Sequence, residues 1–179
     1  MKRLLLFVLL AAIFAQSFSQ SRKGIDLSTD VAMFVPAALG AGCALLKKDS
    51  KGLLQLGESL ALQVAVSYAL KYSIDKERPD GSDNHSFPSN HTGFAFAGAT
   101  FLQQRYGWKI GLPAYVIGGY VAWGRVYSKR HDVWDVLAGA AVGAGSALLL
   151  TTPFATRNEL VVVPLAIDGG CGVHVSMSF

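Results

Sequence analysis

Three short polar clusters interrupt an otherwise apolar chain. Lys71 and Arg78 are separated by six residues, and Pro79 follows. A Pro-Ser-Asn-His run occupies 88–91, and Arg125, His131 and Asp135 come later. His131 and Asp135 are four apart, so on a helix they share a face. A carboxylate placed there holds an imidazole by one ring nitrogen and leaves the other free for chemistry. The seven positions from Lys71 to Arg78 are close to two helical turns, so both can face one way, with Pro79 ending that helix there or just before. Ser89 reads as an N-cap, and the free N–H groups of the helix it opens form an anion site beside His91. Arginine suits bidentate contact with phosphate oxygens.

Each cluster alone has a plain reading. Lys71 and Arg78 suit a helix end near lipid headgroups. The second cluster could be a capping turn, and the third an interfacial belt of Arg125, Tyr127, His131 and Trp134. Taken together they supply three cations, a helix start and two imidazoles, a set that fits a phosphate. Two histidines in separate turns, with one carboxylate already engaged, make a poor zinc set, so no metal and no cofactor is expected.

Long apolar segments must position these groups. Hydrophobic residues make up 51% of the 179 and charged ones 16%, against about 25% charged in ordinary domains. The net charge of +4 comes without a long basic run, which argues against nucleic acid. Charge is absent from 31–46, 92–104, 110–124 and 136–155, and 53–70 holds only Glu58. These stretches read as apolar on all sides, which in a chain this small points to lipid. The Gly/Ala-rich run after Asp135 suits close helix packing in a membrane. Glu58 lies near a helix end and reads as an interfacial residue. Cys43 and Cys171 read as free small hydrophobes.

Residues 1–19 have the anatomy of a secretory signal: a basic start, about a dozen apolar residues, then small and polar ones. An uncleaved first helix is the alternative. The short basic turns at 47–52 and 105–109 read as cytoplasmic. The turns carrying the polar clusters then fall together on the exported side. The expected fold is all-α: an integral membrane bundle of about five helices over 20–156, six if the leader stays. A β-hairpin is expected over 157–179, from its β-branched residues and its Asp-Gly-Gly turn.

The motifs K-x6-R-P (Lys71, Arg78, Pro79), P-S-x-H (Pro88, Ser89, His91) and R-x5-H-x3-D (Arg125, His131, Asp135) resemble the tripartite signature of type-2 phosphatidic acid phosphatases. That superfamily includes membrane lipid phosphatases, soluble acid phosphatases and vanadium haloperoxidases. Asn90 stands where the family usually has Gly, and Gly124 where it usually has Ser. Asn tolerates a left-handed backbone better than most residues, which would keep its N–H available.

The resemblance implies a metal-independent phosphatase. It implies that His131 attacks phosphorus to give a phosphohistidine, that Asp135 orients His131, and that His91 protonates the leaving oxygen. Lys71, Arg78, Ser89, Asn90 and Arg125 would bind the phosphoryl oxygens. The expected substrate is a lipid phosphate, met at the periplasmic face of a bacterial inner membrane. A soluble exported acid phosphatase and a non-catalytic binder of phospholipid headgroups are the alternatives. His85 fits no motif position and reads as a solvated loop residue or a substrate contact.

Overall fold

A computed structural model describes residues 22–154, 160–167 and 170–177. The leader expected at 1–19 lies outside them. Among the described residues six helical segments make five rods. The first rod is α1 (Arg22–Ala32) followed almost in line by α2 (Val35–Leu46). The break falls just before Pro36, which lacks the N–H an unbroken helix would need. The others are α3 (Ser50–Ser73), α4 (Asn90–Tyr106), α5 (Trp108–Tyr127) and α6 (Val133–Leu150). Beyond the bundle, β1 (Leu160–Ile167) pairs antiparallel with β2 (Gly170–Met177), Leu160 opposite Met177.

α4 is the central rod and packs against α2, α3, α5 and α6. Its Ala95, Ala97, Ala99, Phe101 and Leu102 are fully buried. Large apolar side chains instead cover the outside, among them Leu46, Leu54, Val116 and Leu149. This inversion is the signature of helices in lipid, where apolar surface need not be hidden. The first rod, α3 and α6 are long and apolar enough to cross a membrane. The bundle of about five helices is thus present, and among the described residues these three meet the length and apolarity of a membrane span. α4 can be small and partly polar because its neighbours enclose it.

α3 corrects the reading of its segment as apolar on all sides. Gln55, Ser59, Gln63, Ser67 and Lys71 recur every four residues and are all buried, while Leu53, Leu54, Tyr68 and Tyr72 are exposed. A four-residue spacing keeps one helix face, so the polar stripe points inward. Gln63 Nε2 donates to Ser67 Oγ and to Asn90 Oδ1, each at 2.9 Å. The stripe therefore meets, at Gln63, the start of α4, where the second polar cluster lies.

α4 and α6 touch backbone to backbone. A Cβ at Gly143 would run into the Gly93 carbonyl, and one at Gly139 into the Ser89 carbonyl. Gly145 faces open space. Gly139→Ala and Gly143→Ala should each lower stability by about 1–3 kcal/mol through overpacking, read as a lower Tm in detergent. Gly139→Ala should also reduce activity, because it pushes on the residue before Asn90 and His91. Gly145→Ala is the control and should leave both unchanged. Equal behaviour of all three would contradict this packing.

The two ends of the bundle differ. At one end Arg105 Nε donates to Asp49 Oδ2 at 2.8 Å, its Nη2 lies 2.5 Å from Asp49 Oδ1, and its Nη1 donates to the Thr152 and Pro153 carbonyls. Tyr106 adds a hydroxyl to Asp49 Oδ2 at 2.9 Å. Arg105's hydrogen bonds hold the Asp49 carboxyl down at about 2. The turns 74–89 and 128–132 meet at the opposite end, as the loop parity requires: Arg78 Nη1 donates to the Arg130 carbonyl at 3.2 Å.

Candidate active site

The third polar cluster is built on a cap. Asp132 is the N-cap of α6 and accepts from the Asp135 N–H at 3.0 Å, while Asp135 accepts from the Asp132 N–H at 3.0 Å. This reciprocal box locks Asp135 in the first turn. His131 precedes the cap, so it stands in the turn and not on the helix. The four-residue spacing nevertheless brings His131 Nδ1 to 3.5 Å from Asp135 Oδ2, an ion-pair distance longer than a hydrogen bond. Asp135 is fully buried and His131 is 2% exposed.

Two partners of Asp135 carry no motif signal. Lys76 Nζ donates to Asp135 Oδ1 at 2.7 Å and to Asp132 Oδ2 at 2.6 Å. Ser86 Oγ donates to Asp135 Oδ2. A buried carboxylate needs such donors to stay ionised. The two carboxylates hold Lys76 above its ordinary value against the pull of partial burial. Lys76 is thus a fixed charge supporting the dyad.

His131 Nε2 faces the other way, 3.3 Å from Arg78 Nη1. Arginine can only donate, so this contact assigns the lone pair to Nε2 and the proton to Nδ1, on the Asp135 side. Burial lowers the His131 value below 6.5; Asp135 opposes that, and the charges of Arg78, Arg125 and Lys71 reinforce it. That direction favours the neutral imidazole at pH 7. Titrating ¹³C-labelled histidine by NMR should give a midpoint below 6.5 for the signal that His131→Gln removes. A midpoint above 7 would contradict this electrostatic balance.

A cavity of about 330 Å³ opens beside Nε2. Lys71, Arg78, Asn90, His91 and His131 line it, together with Tyr68, Tyr72 and His85. Lys71 lies in the last turn of α3, which stops at Ser73, and Arg78 lies beyond it in the loop. The two do not share a helix as the spacing suggested, yet they reach one cavity. Lys71 Nζ donates to the His85 carbonyl at 2.7 Å. His85 is a wall of the cavity, its ring edge-on to Tyr72 at 5.4 Å.

The second cluster is tied to the third through the backbone, the Ser89 N–H donating to the Asp135 carbonyl at 2.9 Å. Ser89 is the N-cap of α4 by position, but its side chain makes no capping bond and instead accepts from Thr92 Oγ1 at 3.1 Å. It is fully buried and is not part of the cavity lining. Asn90 opens α4 without the left-handed backbone considered for it; among the described non-glycine residues only Lys48 and Lys129 have positive φ.

Arg125 stands apart from the cavity lining. Its Nη1 is held by Asp26 Oδ1 at 2.8 Å and Asp30 Oδ1 at 2.7 Å, both from α1. Its Nε is buried without a partner among the described residues, a state that leaves a donor for an incoming oxygen. Arg130 joins the same group, donating to Asp26 Oδ2 at 2.8 and 2.9 Å. The basic turn Lys129–Arg130 is therefore partly neutralised by α1. Four motif residues far apart in the chain, Lys71, Arg78, His91 and His131, thus share one cavity, and the third motif cation, Arg125, stands outside its lining.

Known proteins are similar to this chain. A family model described as the PAP2 superfamily matches residues 52–159. A lipid A 4'-phosphatase of Helicobacter pylori is 27% identical over 150 residues, covering 78% of this chain and 75% of that one. A lipid A 1-phosphatase of Porphyromonas gingivalis is 37% identical over 100 residues, which is 54% of this chain and 22% of that one. A transmembrane PAP2-type phosphatidylglycerolphosphate phosphatase from Bacillus subtilis has a similar fold, with a TM-score of 0.59 and 24% identity over 84% of this chain and 85% of that one.

Proposed function

This chain belongs to the PAP2 superfamily, and we propose that it is a membrane phosphatase that removes phosphate from a lipid phosphomonoester or diphosphate without a metal ion. One observation carries the reading: Lys71, Arg78, His91 and His131 line a single cavity, with His131 Nε2 facing Arg78 at 3.3 Å. Binding alone would need the cations. The buried Asp135 behind His131 suits chemistry.

In the proposed reaction, Lys71 and Arg78 hold the phosphoryl oxygens, with Ser89, Asn90 and Arg125 completing the cradle. Arg78 turns from Nε2 to the phosphate as substrate enters. Nε2 then attacks phosphorus while the bond to the leaving oxygen breaks. His91 gives that oxygen its proton, and Asp135 stabilises the positive charge left on His131. Water next attacks the phosphohistidine, passing a proton to His91, and inorganic phosphate leaves with His131 neutral again. Fixed cations around the equatorial oxygens supply the electrostatic part of the catalysis, and a placed general acid adds about 10²–10⁴ in rate.

The relatives named as lipid A phosphatases favour a phosphorylated glycolipid as substrate. Phosphatidate, phosphatidylglycerol phosphate and polyprenyl diphosphate are the competing lipids. The site is proposed to face the periplasm of the inner membrane. Its turns share one bundle end, and the short basic turns at 47–52 and 105–109 suit the cytoplasmic side. The test is phosphate release by the detergent-purified protein from all four lipids in the presence of chelator. Release is expected, fastest from lipid A phosphate. Release only on addition of divalent metal would contradict the cation account, and silence on every lipid would favour a headgroup binder.

A further inference from the structure

His131 is not the only imidazole with a carboxylate behind it. His91 Nε2 lies 3.0 Å from Asp30 Oδ1. Asp30 comes from α1, a segment that lies outside the three motifs along the sequence. The same oxygen lies 2.7 Å from Arg125 Nη1. Asp26, one turn earlier, spans Arg125 and Arg130. α1 therefore lays two carboxylates along the back of the site, which share Arg125 and differ in their second partner, His91 for Asp30 and Arg130 for Asp26.

We propose that Asp30 is the positioning residue of the general acid: it holds His91 by Nε2, so that Nδ1 delivers the proton to the leaving oxygen. The inference rests on the acid role given to His91 above. The physical need is clear from what surrounds that ring. Burial lowers the His91 value below 6.5, and the charges of Arg125 on α5 and of His131 and Arg78 in the turns lower it further, against Asp26 and Asp30 from α1. Three of these groups are cations or become one during the reaction, and each disfavours a protonated His91. A carboxylate in contact with the ring opposes them. It also fixes which nitrogen turns to the cavity, as Asp135 does for His131. Asp26 is the internal comparison, since its contacts run to Arg125 and Arg130 and not to His91.

An acid matters in proportion to how poor the leaving group is. Asp30→Asn should therefore be compared on two substrates, an alkyl lipid phosphate and p-nitrophenyl phosphate, whose leaving group departs without a proton. Asp30→Asn is expected to lower kcat on the alkyl substrate about 10- to 100-fold, part of what a general acid supplies in total, and to change kcat on the aryl substrate less than about threefold. The basic limb of the alkyl pH profile should move to lower pH, because His91 then loses its proton sooner. Asp30→Glu should recover part of the loss. Asp26→Asn should raise KM for both substrates alike, through Arg125.

Equal loss on the two substrates would overturn the proposal and make Asp30 a support for Arg125 alone. Unchanged or raised activity would overturn it too, the latter making Asp30 a competitor of phosphate. If Asp30→Asn does not survive extraction as a single species, Asp30→Glu carries the same two-substrate comparison, since its longer stem displaces the carboxylate. The underlying reading fails differently, by a silent wild type or an active His131→Ala.

Discussion

His131→Ala is expected to lower kcat on a lipid phosphate by about 10⁴-fold or more, while leaving substrate binding nearly intact. The nucleophile disappears, but Lys71 and Arg78 still line the cavity and no longer share it with the ring. KM, or the affinity for a non-hydrolysable analogue, should stay within about tenfold, because the cations dominate ground-state binding. Phosphate-release kinetics on purified variants check this directly. Asp135→Asn should give a smaller loss, since it keeps the volume but removes the charge behind His131 and leaves Lys76 with Asp132 as its remaining carboxylate partner. A His131→Ala variant with a large share of wild-type kcat would mean that water, activated elsewhere, attacks phosphorus.

The second large effect lies at the far end of the bundle. Arg105→Met should destabilise the fold by about 3–5 kcal/mol, because it leaves Asp49 as a buried charge without its cation. The loss would appear as a lower Tm in detergent. Asp49 and Arg105 are both almost fully buried, and the pair ties the α2–α3 turn to α4 and to the residues after α6. Arg105→Met combined with Asp49→Leu should be less damaged than Arg105→Met alone, since the stranded charge is gone. Linkage gives the matching sign. Asp49 is ionised in the fold down to about 2, below the ordinary carboxylate range near 3.9. Its contribution is complete at neutral pH and fades as pH falls from that ordinary range toward 2. Neutral-pH stability that is indifferent to Arg105→Met would contradict the buried pair.

The chemistry of this chain is legible where spacing along the sequence carries it. Lys71, Arg78, His91 and His131 sit in short motifs, and the fold delivers all four to one cavity. The helices are legible for the same reason: charge-free segments between polar turns. What could not be read depends on contacts across the fold. Asp26 meets Arg125 across 99 positions, and Lys76 meets Asp135 across 59. No local pattern links such pairs, and each of these side chains in isolation looks like an ordinary polar residue at a helix end or in a loop. Arg125 illustrates the limit. Its residue type fitted phosphate, but its α1 partners were invisible, so its position beside rather than within the cavity was not foreseen. α3 illustrates another. Its mean apolarity hid a buried stripe of Gln55, Ser59, Gln63, Ser67 and Lys71, which a four-residue spacing test would have found.

The central claim is that phosphorus passes through a covalent bond to His131. Rapid quench of the detergent-purified enzyme during turnover, followed by peptide mass spectrometry under alkaline conditions that preserve phosphoramidates, tests it directly. The account predicts an acid-labile phosphate on the peptide bearing His131, rising and decaying at rates compatible with kcat and absent from His131→Ala. Phosphate on another side chain, or full turnover with no enzyme-bound phosphate at any time, would contradict it.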